Sequence, residues 1–156
     1  MDKYKQERHE YVKYMVDRIL TKLEENSGYE LLAFVILTLK YGLRKDEVLG
    51  INWNQINYDE KIIENVKRKN NFITEYLELN SEVERILRRL EYCNRTNGEE
   101  KIFPILSLKR FAIGELIGKN IGDNYFTTHE LRGLATTLLI ERIQDEEDKK
   151  LFSKNI

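Results

Sequence analysis

Between Tyr29 and Lys40 the chain carries Leu31, Leu32, Phe34, Val35, Ile36, Leu37 and Leu39, with almost nothing polar among them. As a helix this segment is apolar all round, and such a helix is stable only when other elements cover every side. It is too short to cross a bilayer, which takes about 20 apolar residues. The rest of the chain must therefore pack around it. A chain of 156 residues, 41 % of them hydrophobic, is enough for one such core. The expectation is a single mostly α (α+β) domain over 1–156, with no membrane span.

The segments that could cover the central helix are visible on either side. Residues 2–25 form an amphipathic pattern, with Val12, Met15, Val16, Ile19, Leu20 and Leu23 on one face. Asn26-Ser27-Gly28 stops it, with Gly28 suited to a left-handed helix end. After Tyr41-Gly42 a short third helix spans Leu43–Ile51 and docks through Val48, Leu49 and Ile51, with Arg44 at its start. Trp53 and Ile56 are the last anchors before the period changes.

From Lys61 the pattern turns strand-like. Ile62, Ile63 and Val66 lead into Lys67-Arg68-Lys69-Asn70-Asn71, a basic break with turn-forming asparagines, and Phe72–Leu79 resumes the alternation. This predicts a β-hairpin, roughly 61–68 and 72–79, or a three-stranded sheet at one edge. Ser81 with Glu84 has the spacing of a helix-capping box. Val83, Ile86, Leu87 and Leu90 give that helix its stripe, and Tyr92–Glu100 is a polar loop. Ser107 caps a further helix bearing Phe111, Ile113, Leu116 and Ile117. Thr127 or Thr128 caps another, with Leu131, Leu134, Leu138 and Leu139 inward. An acidic patch, Asp145–Asp148, and a short piece, Lys149–Ile156, follow.

Composition narrows the chemistry. Cys93 is the one cysteine, so no intramolecular disulfide forms and a reducing, cytoplasmic setting is expected. His9 and His129 are far from each other and from Cys93, so no metal-ligand spacing exists and no cofactor is expected. The net charge of -1 does not by itself announce a nucleic-acid binder, and charge must be read by region. His129 and Arg132 lie three apart at a helix start, where the dipole and free N–H groups favour anions. The same pair also reads as the solvated end of a capped helix.

Two motifs and their order go further. Gly42-Leu43-Arg44-x-x-Glu47-Val48-Leu49 comes first, a hairpin with a basic tip follows, and Thr128-His129-Glu130-Leu131-Arg132-Gly133 closes the series. This order resembles the catalytic domain of the tyrosine recombinase (phage integrase) family, over about Tyr29 to Phe152. The resemblance implies a protein of a phage or mobile element that acts on duplex DNA inside the cell, at the nucleoid. It implies that Arg44 and Arg132 clamp the scissile phosphate and that His129 donates a hydrogen bond or assists proton transfer. Lys69, or Lys67, would be the hairpin lysine that protonates the leaving 5′ oxygen, and Lys67, Arg68 and Lys69 would meet DNA. Glu47 would orient an arginine, and Lys154 would stand where the family has a histidine or tryptophan. Arg85, Arg88, Arg89, Lys109 and Arg110 could join the hairpin tip in one basic face.

One departure is plain. The family's nucleophile is a tyrosine well after the second arginine, and all nine tyrosines here precede Arg132. The expectation is a catalytic core without its N-terminal DNA-clamping domain and its tyrosine helix, inactive alone. Such a core would be a fragment of a longer recombinase, or a shortened relative that binds DNA and regulates, or would accept a tyrosine from another protomer. The rival reading is a non-catalytic DNA-binding or protein-interaction helical module, with helix 2–25 and the acidic tail as its contacts.

Overall fold

A computed structural model describes residues 2–26, 28–94 and 98–154, with the backbone alone for residues 94, 141 and 143–154. In chain order the elements are α1 (Lys3–Asn26), α2 (Tyr29–Tyr41), α3 (Lys45–Leu49), β1 (Ile56–Asn57), β2 (Ile62–Lys67), β3 (Ile73–Glu78), α4 (Ser81–Asn94), α5 (Pro104–Leu108), α6 (Ile113–Ile121) and α7 (Thr128–Lys154). Short 3-10 turns sit at Trp53–Gln55 and Lys69–Asn71. The domain is mostly α, with one three-stranded antiparallel sheet in the order β1-β2-β3.

The apolar helix is central, as its sequence requires. Residues Glu30 through Leu39 of α2 are all buried, and α1, α3, α4, α5 and α7 pack around it. Phe34 meets Phe103 edge to face, with ring centroids 6.1 Å apart. Fully burying a side chain of this size is worth about 1.5–3 kcal/mol, so α2 is the main source of cohesion. The sheet joins through β2, whose Ile63 and Val66 are fully buried. Ile63 pairs with Leu77 and Val66 with Thr74. The β2–β3 turn is made by Asn70 and Asn71, at φ 66° and 64°, a region asparagine tolerates better than most residues. Tyr41 at the end of α2 donates its hydroxyl to the Glu78 carbonyl at 2.6 Å, tying the central helix to β3.

Close approach places the start of α7. A Cβ on Gly118 would lie 2.2 Å from the Asp123 carbonyl oxygen, and one on Gly114 would lie 2.9 Å from that of Phe126. These two glycines let the segment 123–128 lie flat on α6. Thr127 then caps α7, its Oγ accepting from the Glu130 N–H at 3.1 Å.

Several local expectations are corrected. Gly28 is extended (φ -76°) and caps the start of α2 instead of closing α1. Asn80, not Ser81, caps α4: its Oδ1 accepts from the Val83 N–H at 2.9 Å, while Glu84 turns to Lys61 and Arg88. Ser107 lies inside α5, which Pro104 opens, and its hydroxyl donates to the Phe103 carbonyl. A proline at the first helical position starts a helix well, because its missing N–H would be unpaired there anyway. Phe111, placed in a core stripe from spacing, is 88 % exposed because the helix carrying that stripe begins only at Ile113. The acidic patch and Lys149–Lys154 continue α7 without a break, and residues 155–156 lie outside the described residues.

Candidate functional site

The site begins at the turn between α2 and α3. Gly42 ends α2 at φ 65°, its N–H donating to the Thr38 carbonyl at 2.8 Å. That left-handed conformation suits glycine, and a Cβ there would also come within 2.9 Å of Leu139 on α7. Leu43 is fully buried and fixes the turn, leaving Arg44 exposed as the residue that precedes α3. Arg132, one turn into α7, donates from Nε to the Gly42 carbonyl at 3.3 Å. Arg132 therefore reaches the turn that carries Arg44, though the two are far apart in sequence. His129 is exposed in the first turn of α7, three residues before Arg132 and on the same face.

Glu47 joins this turn to the hairpin. Its carboxylate is buried and accepts from the Arg44 N–H at 2.8 Å, the Arg68 Nε at 2.8 Å and the Lys69 N–H at 3.2 Å. Burial alone would raise its pKa. The three donors outweigh burial and hold it below the usual 4.5. Glu47 thus fixes the backbone under Arg44 and fastens the hairpin tip beside it, and the arginine side chain it holds is that of Arg68. Lys67 and Lys69 are exposed there, and with Arg44, Asp46, Glu47 and Arg68 they line a groove of about 460 Å³. Arg68 is differently placed. Its Nε is committed to Glu47 and its Nη1 donates to the Thr74 hydroxyl at 3.2 Å, so it braces the tip.

Lys154 is not brought to this group. It lies in the last turn of α7, about 33 Å along the axis from Arg132 at roughly 1.5 Å per residue. Its side chain is outside the described residues. The single basic face also divides. Arg88 stacks over Tyr58 at 4.1 Å, at the open end of the hairpin, about 20 Å from the tip at roughly 3.3 Å per residue. Arg110 instead reaches Asp46 on α3 at 2.7 Å, beside the arginine turn. Arg110 and Lys45 both lie against the Phe111 ring, 5.1 Å and 5.2 Å from its centroid. Among the described residues no group of His, Cys, Asp and Glu is arranged to hold a metal ion.

The arrangement is therefore one arginine turn reached by Arg132, with the exposed His129 three residues before it in α7, and a basic hairpin tip fastened beside that turn through Glu47. A family model for the phage integrase family matches residues 12–148. The chain belongs to the phage integrase family. No curated protein and no solved structure matches it. Membership makes this a tyrosine-recombinase-type catalytic domain, a class that binds and acts on DNA. No described helix is long and apolar enough to cross a membrane.

Two contacts were not foreseen from sequence. Glu30, the carboxylate heading the apolar helix, is buried and caps α5, accepting from the N–H of Leu106 at 2.6 Å and of Ile105 at 3.5 Å. Burial pushes its pKa above 4.5, against the pull of those two donors. A lone acid at the head of an all-apolar helix is the signal that could have marked it. The Arg68–Glu47 pair had no comparable signal, since any of three basic residues at the tip could have been the partner.

Proposed function

We propose that this domain grips one phosphodiester of duplex DNA between Arg44 and Arg132, with the hairpin tip and His129 beside it. The observation that carries this reading is the Arg132 Nε on the Gly42 carbonyl, two residues before Arg44. Two guanidinium groups neutralise the non-bridging oxygens and stabilise the charge that grows as phosphorus becomes pentacoordinate. Lys69, with Lys67 as the alternative, protonates the departing 5′ oxygen. His129 donates a hydrogen bond to the phosphate. A tyrosine hydroxyl attacking phosphorus forms the 3′-phosphotyrosyl bond and releases the 5′ hydroxyl. The chain has no tyrosine after Arg132. The attacking hydroxyl then comes from another protomer or another polypeptide segment, and these 156 residues alone do not cleave DNA. The setting for this work is intracellular, on nucleoid DNA.

The test has two arms. Binding to a labelled duplex should weaken steeply with salt, with a log–log slope of about -3 to -4 for some four phosphate contacts. A suicide substrate should yield no covalent adduct with the purified chain. A flat salt dependence would remove the DNA reading, and an adduct would remove the claim of inactivity. A second reading, docking of a protein on α1, has one observation in its favour. Tyr4, Tyr11 and Tyr14 lie along one stripe of that helix, each more than half exposed. Such docking would leave DNA retention insensitive to Arg44→Ala.

A further inference from the structure

The hairpin tip is not only basic. Phe72 closes it at 70 % exposure, and Ile73 beside it is 58 % exposed. Single exposed apolar residues are ordinary on protein surfaces. What distinguishes Phe72 is how it is held and what surrounds it. The Arg68 N–H donates to the Phe72 carbonyl at 2.7 Å, closing the turn. Arg68 and Lys69 are in turn fastened to the buried Glu47. Asn70 and Asn71, both at positive φ, fix the backbone between them. The ring therefore projects from a braced turn. Lys67 and Lys69 precede it in the chain, and Arg44 lies with them along the same groove.

Charge and apolarity here point to one occupant. The two carboxylates of the groove are already paired, Asp46 with Arg110 and Glu47 with Arg68, so the lysines and Arg44 select a polyanion. The ring needs an apolar face within a few ångströms of that anion. Duplex DNA offers both, since flat base pairs lie directly inside each phosphate. Phenylalanine, leucine and isoleucine are the side chains that enter base steps from the minor groove and unstack them.

We propose that Phe72 is a DNA wedge, inserting at the base step next to the phosphate held by Arg44 and Arg132, with Ile73 as its apolar shoulder. The proposal rests on the DNA reading above and adds a positioning residue to it. By opening the step, the ring kinks the duplex toward its major groove and keeps the bound phosphate in register with Lys69.

The protein supplies a convenient reporter, because Trp53 is its one tryptophan and is only 3 % exposed. Phe72→Trp adds a solvent-facing indole, and Tyr4→Trp on α1 is the control. Each variant is titrated with a short labelled duplex at low salt, following strand anisotropy, tryptophan emission and acrylamide quenching. The expected result is DNA binding with loss of emission and reduced acrylamide access for Phe72→Trp, and unchanged access for Tyr4→Trp. Phe72→Ala should bind about tenfold more weakly, in the range of base–aromatic stacking losses, and Phe72→Leu should stay near the parent. DNA binding with unaltered emission and access at position 72 overturns the wedge and leaves the phosphate grip standing. Absence of DNA binding by the parent chain overturns both.

Discussion

Glu47→Ala removes a side chain that holds the arginine turn and the hairpin together. The buried carboxylate accepts three hydrogen bonds, at 2.8, 2.8 and 3.2 Å. Its loss strands two backbone N–H groups and the Arg68 guanidinium. A fully buried pair broken this way costs about 3–5 kcal/mol. The Arg68 side chain, however, is 33 % exposed, so water recovers part of the loss. The expected cost is about 2–3 kcal/mol. In a domain of this size that corresponds to a fall in Tm of roughly 5–10 °C. Glu47→Gln keeps the shape and one acceptor and should fall by about half as much. Thermal unfolding followed by circular dichroism measures both. The pH dependence supplies a sign. Because the folded pKa of Glu47 lies below 4.5, its contribution is present above 4.5 and is lost as pH falls through the folded value. The gap between parent and Glu47→Gln should therefore close in acid. A Glu47→Ala Tm within about 1 °C of the parent, or a gap that widens in acid, would refute the reasoning.

Glu30 should show the opposite sign. Burial raises its folded pKa above 4.5, so its contribution is full below 4.5 and is lost as pH rises through the folded value. Relative to the parent, Glu30→Gln should gain Tm between acid and neutral pH, read from the same unfolding curves. Gly42→Ala, at φ 65° and crowding Leu139, should cost about 1–2 kcal/mol, and Gly42→Asn should cost less because asparagine accepts that conformation; chemical denaturation distinguishes them. Gly118→Ala forces a Cβ against the Asp123 carbonyl, a backbone atom that cannot step aside cheaply. It should cost about 3 kcal/mol or more, measured by urea unfolding. Arg68→Lys should lower Tm by a few degrees, roughly 1 kcal/mol, since an ammonium cannot reproduce the Nε and Nη1 contacts to Glu47 and Thr74 together.

The large features were legible because composition and periodicity dictate them. A helix without a polar face can only be central, and α2 is. Asparagines after three basic residues can hardly be other than a turn, and Asn70 and Asn71 make it. The two arginine motifs were visible as residues, but the reach of Arg132 to the Gly42 carbonyl was not, because it depends on α7 packing along α2. Helix starts were less legible. Asn80 and Ser81 are both good caps, and only the direction of the backbone decides between them. Ser107 looked like a cap because its hydroxyl prefers to bond locally, and it satisfied that preference inside α5 instead. Lys154 was placed by its distance along the chain, which says nothing of whether α7 continues through that segment.

A double-mutant cycle on duplex affinity addresses the central claim most directly. Arg44→Ala, Arg132→Ala and the double variant are titrated against one labelled duplex, with folding checked by circular dichroism. If both guanidinium groups hold one phosphate, each single change should weaken binding strongly, and the double change should be little worse than either alone. Losses that multiply independently, or singles that bind like the parent, would contradict the shared grip.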